Sequence, residues 1–289
     1  MSKRNLINLS LLLLIFALAA IAIYKPGQDV AIKPTILTPL KSSSIHHIKI
    51  NRHNASATEQ QVEFKRTVNG WEMLKPYSVS ANTFRINSIL ELLSTVSFSQ
   101  NNLENLDLNT FGLKNPLVTI TFNNKTSIVF GHNKSLKNHR YIQIDSTLHL
   151  TADTFFYQLG AKSESYINHK VLSESDNIVK LTLPSLKLNN ENGKWNVIPK
   201  KEGLLSDSIN QLISEWKLSQ AFDVNKVKPD SVRKADIIIY LENNKKFHFK
   251  IEDTKKSFNL INLDTGIRYF LSPDRKDKLL KLSNISQEN

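Results

Sequence analysis

Cysteine is absent from the sequence, which excludes disulfide staples, thiolate metal sites, a cysteine nucleophile and tethering through an acylated cysteine. It leaves the compartment open, because an exported chain can also do without thiols. Glycine is scarce, with 8 among 289 residues. No G-x-x-x-x-G-K-S/T, G-x-S-x-G or H-E-x-x-H occurs, so the sequence offers no phosphate cradle, nucleophile elbow or helical zinc pair. Acidic residues are outnumbered, 26 against 38 basic ones, for a formal net charge of +12. An excess of that size favours anionic partners such as lipid headgroups, acidic polymers or acidic protein faces. Apolar residues make up 40% of the chain, enough for one large or two modest folded domains.

The one long stretch without charge runs from Leu6 to Ile23, with Asn8 and Ser10 as its polar interruptions. As a helix it spans roughly 27 Å, close to the thickness of a bilayer's hydrocarbon core. Lys3 and Arg4 precede it and favour a cytoplasmic N-terminus, so the rest of the chain is expected outside the cytoplasm. Residues 1–5 then form a short tail and 6–24 a single-pass anchor. A cleaved signal peptide is the competing reading, since Ala17-Leu18-Ala19 and Ala20-Ile21-Ala22 resemble small-x-small cleavage sites. This location argues against nucleic acid as the partner of the basic surface. Residues 25–44, with Pro26, Gly27, Pro34, Pro39 and three serines, read as an extended linker.

Beyond the linker a pattern occurs twice. Val68 to Ser99 and Asn192 to Val224 each carry an Asn-Gly turn, a strand with one Trp (Trp71, Trp195), a Pro (Pro76, Pro199) and an amphipathic helix containing Ile-Asn (Ile86-Asn87, Ile209-Asn210). Asn-Asn-Lys turns at Asn123 and Asn243 keep nearly the same spacing, which predicts a duplication. In the first copy Ser80 or Asn82 caps a helix whose apolar face is Phe84, Ile86, Ile89, Leu90, Leu93 and Val96. The second helix is predicted over roughly Ser206 to Leu218. The fold class that follows is α+β: two tandem repeats, 45–172 and a divergent 173–289, each an antiparallel β-sheet with a packed amphipathic helix, after one N-terminal transmembrane helix.

Trp71, Pro76, the helix INSILELL, the connector LDLNTFGLKNP, the turn ITFNNKTSIVFG and the later YIQIDSTLHLTAD are similar, in that order, to the family of the domain of unknown function DUF4340. Phe111-Gly112-Leu113 with Asn115-Pro116, together with Phe130-Gly131, are the most specific part. The second copy departs from the pattern at Val232-Arg233-Lys234-Ala235 and at Lys250, which follows Phe249 where Gly131 follows Phe130. The resemblance implies a membrane-anchored envelope protein, of a kind often associated with components of ABC-type export or gliding-related systems. It implies no catalytic residue.

Several side-chain groups invite chemistry. His46, His47 and His53 lie close in sequence, but neighbouring strand residues point to opposite faces and cannot easily share an ion. The loop before Tyr141 gathers Lys134, Lys137, His139 and Arg140 and could hold an anionic group, although a solvated loop guarding a strand edge is the plainer reading. Trp71 and Trp195 could serve as platforms for a partner or ligand, and the alternative is that both anchor the core. Asp145 and Asp153, like Asp264 and Asp274, stand where turns and caps use aspartate. No metal or cofactor is expected. The function expected is that of a non-enzymatic, membrane-anchored periplasmic accessory or scaffold protein that binds a membrane-protein partner, such as components of an ABC-type transport system. The alternative is a binding module for an anionic or glycan envelope polymer. A hydrolase is the third reading, to be supported by turnover that is abolished by changing Asp145 or His139.

Overall fold

The computed structural model describes residues 3–24, 35–134, 138–173, 175–200, 205–227 and 234–283. Helix α1 (Lys3–Tyr24) is apolar on all sides, long enough to cross a membrane, and buries none of its span against the rest of the chain. The first sheet is built from β1 (Thr35–Ile36), β2 (His47–Arg52), β3 (Gln61–Thr67), β4 (Gly70–Lys75), β5 (Val79–Ser80), β6 (Val96–Asn102), β7 (Val118–Phe122), β8 (Thr126–Lys134), β9 (His139–Ile144) and β10 (Thr147–Ala152), with α2 (Thr83–Leu90) inserted before β6 and α3 (Phe156–Leu159) after β10. The second comprises β11 (Ile178–Thr182), β12 (Lys187–Glu191), β13 (Lys194–Ile198), β14 (Asp223–Lys226), β15 (Ile237–Leu241), β16 (Lys246–Asp253), β17 (Phe258–Asn262) and β18 (Ile267–Leu271). Its helices are α4 (Ser206–Lys217) and α5 (Arg275–Leu280). The architecture is α+β with two antiparallel sheets, as the alternating strand patterns predicted.

The sheets follow the orders β1-β6-β10-β9-β8-β7-β2-β3-β4-β5 and β13-β12-β11-β15-β16-β17-β18-β14. With β1 and β5 set aside, the first sheet read from its other end is β4-β3-β2-β7-β8-β9-β10-β6. The second sheet takes the same path strand for strand, and α2 and α4 each fall after the third strand of that path in chain order. The stretch from Tyr166 to Val171 joins the units by bonding to both. Asn82 N–H donates to Tyr166 C=O and Asn168 N–H to Ser80 C=O, while Val171 N–H donates to Ser219 C=O and Ala221 N–H to His169 C=O.

Asn82 caps α2, its side-chain oxygen accepting from Arg85 N–H at 3.3 Å. Ile86, Ile89, Leu90 and Leu93 are buried as the helical period required, but Phe84 is 79% exposed and Val96 is 40% exposed. The helix ends at Leu90 and a 3-10 turn follows. Val96 then opens β6, where the period changes to 2 and Val96 and Phe98 alternate with the fully buried Ser97. Of the segment expected as linker, 35–44 is described and belongs to the fold: Thr35 pairs with Ser97, and Leu37 is buried and donates to Thr95 C=O.

The Phe-Gly motifs have a steric reason. The connector lies directly on β8, so a Cβ on Gly131 would meet Phe111 C=O at 2.1 Å, and one on Gly112, whose φ is +69°, would meet the His132 ring. His132 N–H donates to Phe111 C=O at 2.7 Å. In the second sheet the corresponding residue is Lys250, whose ammonium group reaches Asp236 at 3.0 Å. Gly131→Ala must lift the connector off β8 and is expected to cost about 1–3 kcal/mol, read as a lowered urea midpoint; an unchanged midpoint contradicts this contact.

Candidate functional site

The basic loop does not assemble as the sequence suggested. β9 begins at His139, one residue before Arg140, so strand alternation turns Arg140 inward beside the core positions Ile142 and Ile144, and Arg140 is 5% exposed. Its guanidinium is fully committed. Nε and Nη2 donate to Asp153 at 2.6 and 2.8 Å, Nη1 donates to Gly131 C=O at 2.6 Å, and the group lies 3.6 Å from the centre of the Phe156 ring. Burial pushes the Asp153 carboxyl up, but the bonds from Arg140 and from Asn133 outweigh it and hold its pKa below the usual value. His139 faces the other way and stacks on Phe98 at 4.6 Å. Lys134 is exposed at the end of β8, and Lys137 lies outside the described residues. Arg140 is therefore withdrawn from the anion-binding set, because its charge is neutralised inside the fold.

The aspartates and histidines are also dispersed. Asp145 sits in the β9–β10 turn at φ +49°, at the opposite end of β9 from His139, about 20 Å away at strand rise. That separation is too long for the two to act on one bond. His47 pairs with Glu63 at 2.8 Å, and His46 is exposed. An exposed His248–Asp264 pair at 2.9 Å was not flagged by the sequence, and it closes the β17 turn, with Asp264 also accepting from His248 N–H. Among the described residues no three His, Asp or Glu side chains gather closely enough to hold a metal ion.

The two equivalent tryptophans part company. Trp71 is 4% exposed and lies in the core under the Arg66 guanidinium, 4.8 Å from its ring centre, so it offers no platform. Trp195 is half-buried. The difference lies at the sheet edge. β4 is closed on its outer side by β5, through Glu72 opposite Ser80 and Met73 opposite Val79, with Ala81 N–H donating to Trp71 C=O. Among the described residues nothing pairs with the outer side of β13. A groove of about 570 Å³ runs beside it, with Trp195, Val197 and Ile209 as its apolar part and Lys194, Lys200 and Asn210 as its polar part. Ile198 stands 62% exposed at the end of the strand. An open strand edge beside a half-buried aromatic can accept an extended segment through backbone hydrogen bonds and seat one of its side chains.

A family model described as a domain of unknown function, DUF4340, matches residues 71–234. That match begins at the Trp71 strand, covers more than half of the chain and extends well into the second sheet. No curated protein and no solved structure matches the chain.

Proposed function

This chain belongs to the DUF4340 family, and we propose that it is a single-pass protein of the bacterial inner membrane whose folded part, on the periplasmic side, binds a membrane-protein partner without transforming a substrate. A transport system of the ABC type is the partner class that the family resemblance suggests. The two sheets are read as copies of one unit, which their common strand path and the equivalent places of Trp71 and Trp195 support. α1 is the retained anchor in this reading. Its complete lack of burial against the fold supports a helix that resides in lipid.

The observation that carries the reading is the difference between the two copies at one edge. The first closes β4 with β5, whereas among the described residues nothing closes the outer side of β13 beside Trp195. Natural sheets protect such edges unless something pairs with them. Co-purification after mild crosslinking in native membranes is expected to recover a membrane-protein partner with the parent chain. Ile198→Asp is expected to recover at least fivefold less of it while leaving the unfolding midpoint in place, because the side chain is already in water. Recovery of the parent chain alone, or equal recovery with both chains, contradicts the reading.

A binding module for an anionic or glycan polymer is the second reading. It is favoured by the basic excess and by Lys180 and Lys246, whose ammonium groups lie 5.1 and 5.2 Å from the Tyr240 ring centre on the outer face of the second sheet. Charge-driven binding weakens steeply with salt, whereas pairing at the β13 edge does not.

A further inference from the structure

The outer face of the first sheet carries a row of uncovered apolar side chains at the edge where the chain enters the fold. Ile36 and Val96 are direct cross-strand partners, and Phe98 follows two residues along β6 on the same face. They are 65%, 40% and 42% exposed, while Ser97 between them points inward, is fully buried and bonds to His149. Phe98 is held outward by its stack on His139, and His139 is the cross-strand partner of the exposed Lys134. Further across the same face the connector covers the sheet, with Phe111 packed edge-on against Tyr141 at 4.9 Å. The row is what that cover leaves open.

Chain length fixes where this row can go. Between Tyr24, where α1 ends, and Thr35, where β1 begins, lie residues 25–34, which at full stretch reach roughly 40 Å. With α1 in a bilayer, β1 and the row beside it are held within that distance of the lipid surface. Isolated exposed hydrophobes need no explanation, but a contiguous apolar row with the exposed Lys134 close by, on a chain of net charge +12, has the composition of an interfacial membrane contact.

We propose that Ile36, Val96 and Phe98 dock the folded part onto the anionic bilayer that holds α1, with Lys134 at the level of the phosphates. The proposal rests on the anchor reading above. Docking of this kind fixes the orientation of the fold on the membrane, which a linker alone would not do, and so determines how the β13 edge is offered to a partner.

The absence of native cysteine makes a clean test available. The full chain carrying Val96→Cys, or Ile198→Cys as the control, is labelled with a nitroxide and reconstituted into nanodiscs of mixed neutral and anionic phosphatidyl lipids. Collisions with a water-soluble nickel chelate are then measured. The label at 96 is expected to be at least threefold less accessible to nickel than the one at 198. Ile36→Asp, in a chain whose unfolding midpoint is unchanged, is expected to remove most of that protection. Equal accessibility at 96 and 198 in chains that co-migrate with the discs overturns the docking surface and leaves the anchor reading standing. Failure to co-migrate overturns the anchor reading and the docking with it. Protection accompanied by dipolar broadening between labels assigns the row to a second copy of the chain and also overturns the proposal.

Discussion

Replacing Trp216 with alanine is expected to lower the stability of the folded part by about 3–5 kcal/mol, among the largest effects of any single substitution in this chain. Trp216 lies on α4 with no exposed surface. Its ring faces Phe249 of β16 at 6.0 Å, and its indole N–H donates to Leu279 C=O at 3.0 Å. That carbonyl is in the last turn of α5, where helical carbonyls have no partner within their own helix. One side chain thus ties two helices to the second sheet and satisfies an otherwise unpaired acceptor. Trp216→Phe keeps most of the packing and loses the bond, so a smaller cost of about 1–3 kcal/mol is expected. Trp195→Ala, on a half-buried strand position, should cost less than either. Urea unfolding of the three variants checks the order, and a Trp195→Ala shift as large as that of Trp216→Ala contradicts it.

Arg140→Ala is expected to cost about 3–5 kcal/mol near neutral pH, the range for removing one partner of a buried ion pair. The Asp153 side chain is only 9% exposed and would keep Asn133 alone as a charge-stabilising partner. The pH dependence has a definite sign. In the parent chain the Asp153 pKa is depressed in the fold. The pair therefore contributes fully above the unfolded carboxyl pKa, and that contribution is lost as pH falls through the lower folded value. In the variant, burial acts without the guanidinium and the carboxyl pKa rises, so protonation relieves the unpaired charge. The stability difference between the two chains should be large at pH 7 and shrink as pH drops through the carboxylate range. A difference that stays constant across that range contradicts the pairing. Arg140→Met with Asp153→Asn should cost less than Arg140→Ala alone, because no charge is then left buried.

These two residues mark where sequence reading succeeds and where it stops. Periodicity carried the strands and helices; of the two cap candidates Asn82 is the one used, and the Phe-Gly motifs on which the family resemblance rests have a counterpart in the packing. It failed where one residue of register decides a side chain's direction. Arg140 read as part of a basic loop because the start of β9 was not visible, and that single step turned a ligand candidate into a core ion pair. Val96 read as helical because its spacing from Ile89 and Leu93 fits a 3.6 period, yet the β-branched Val96 begins a strand directly after Thr95 ends the 3-10 turn. Trp216 went unremarked because the recurring sequence pattern drew attention to Trp71 and Trp195, although its own helix places it on the buried face with Ile209 and Leu212. The outer edge of β13, unpaired among the described residues, depends on what lies beside it in space, which periodicity does not report.

The account turns on the outer edge of β13, with which nothing among the described residues pairs, and in-cell photo-crosslinking reads it most directly. A photoreactive amino acid at Asn196 or Ile198, both exposed on β13, is expected to yield a light-dependent adduct with one membrane protein. The same residue at Ser80, where β5 closes the matching edge of the first sheet, is expected to yield none. Adducts of equal strength at all three positions, or at none of them, would contradict the account.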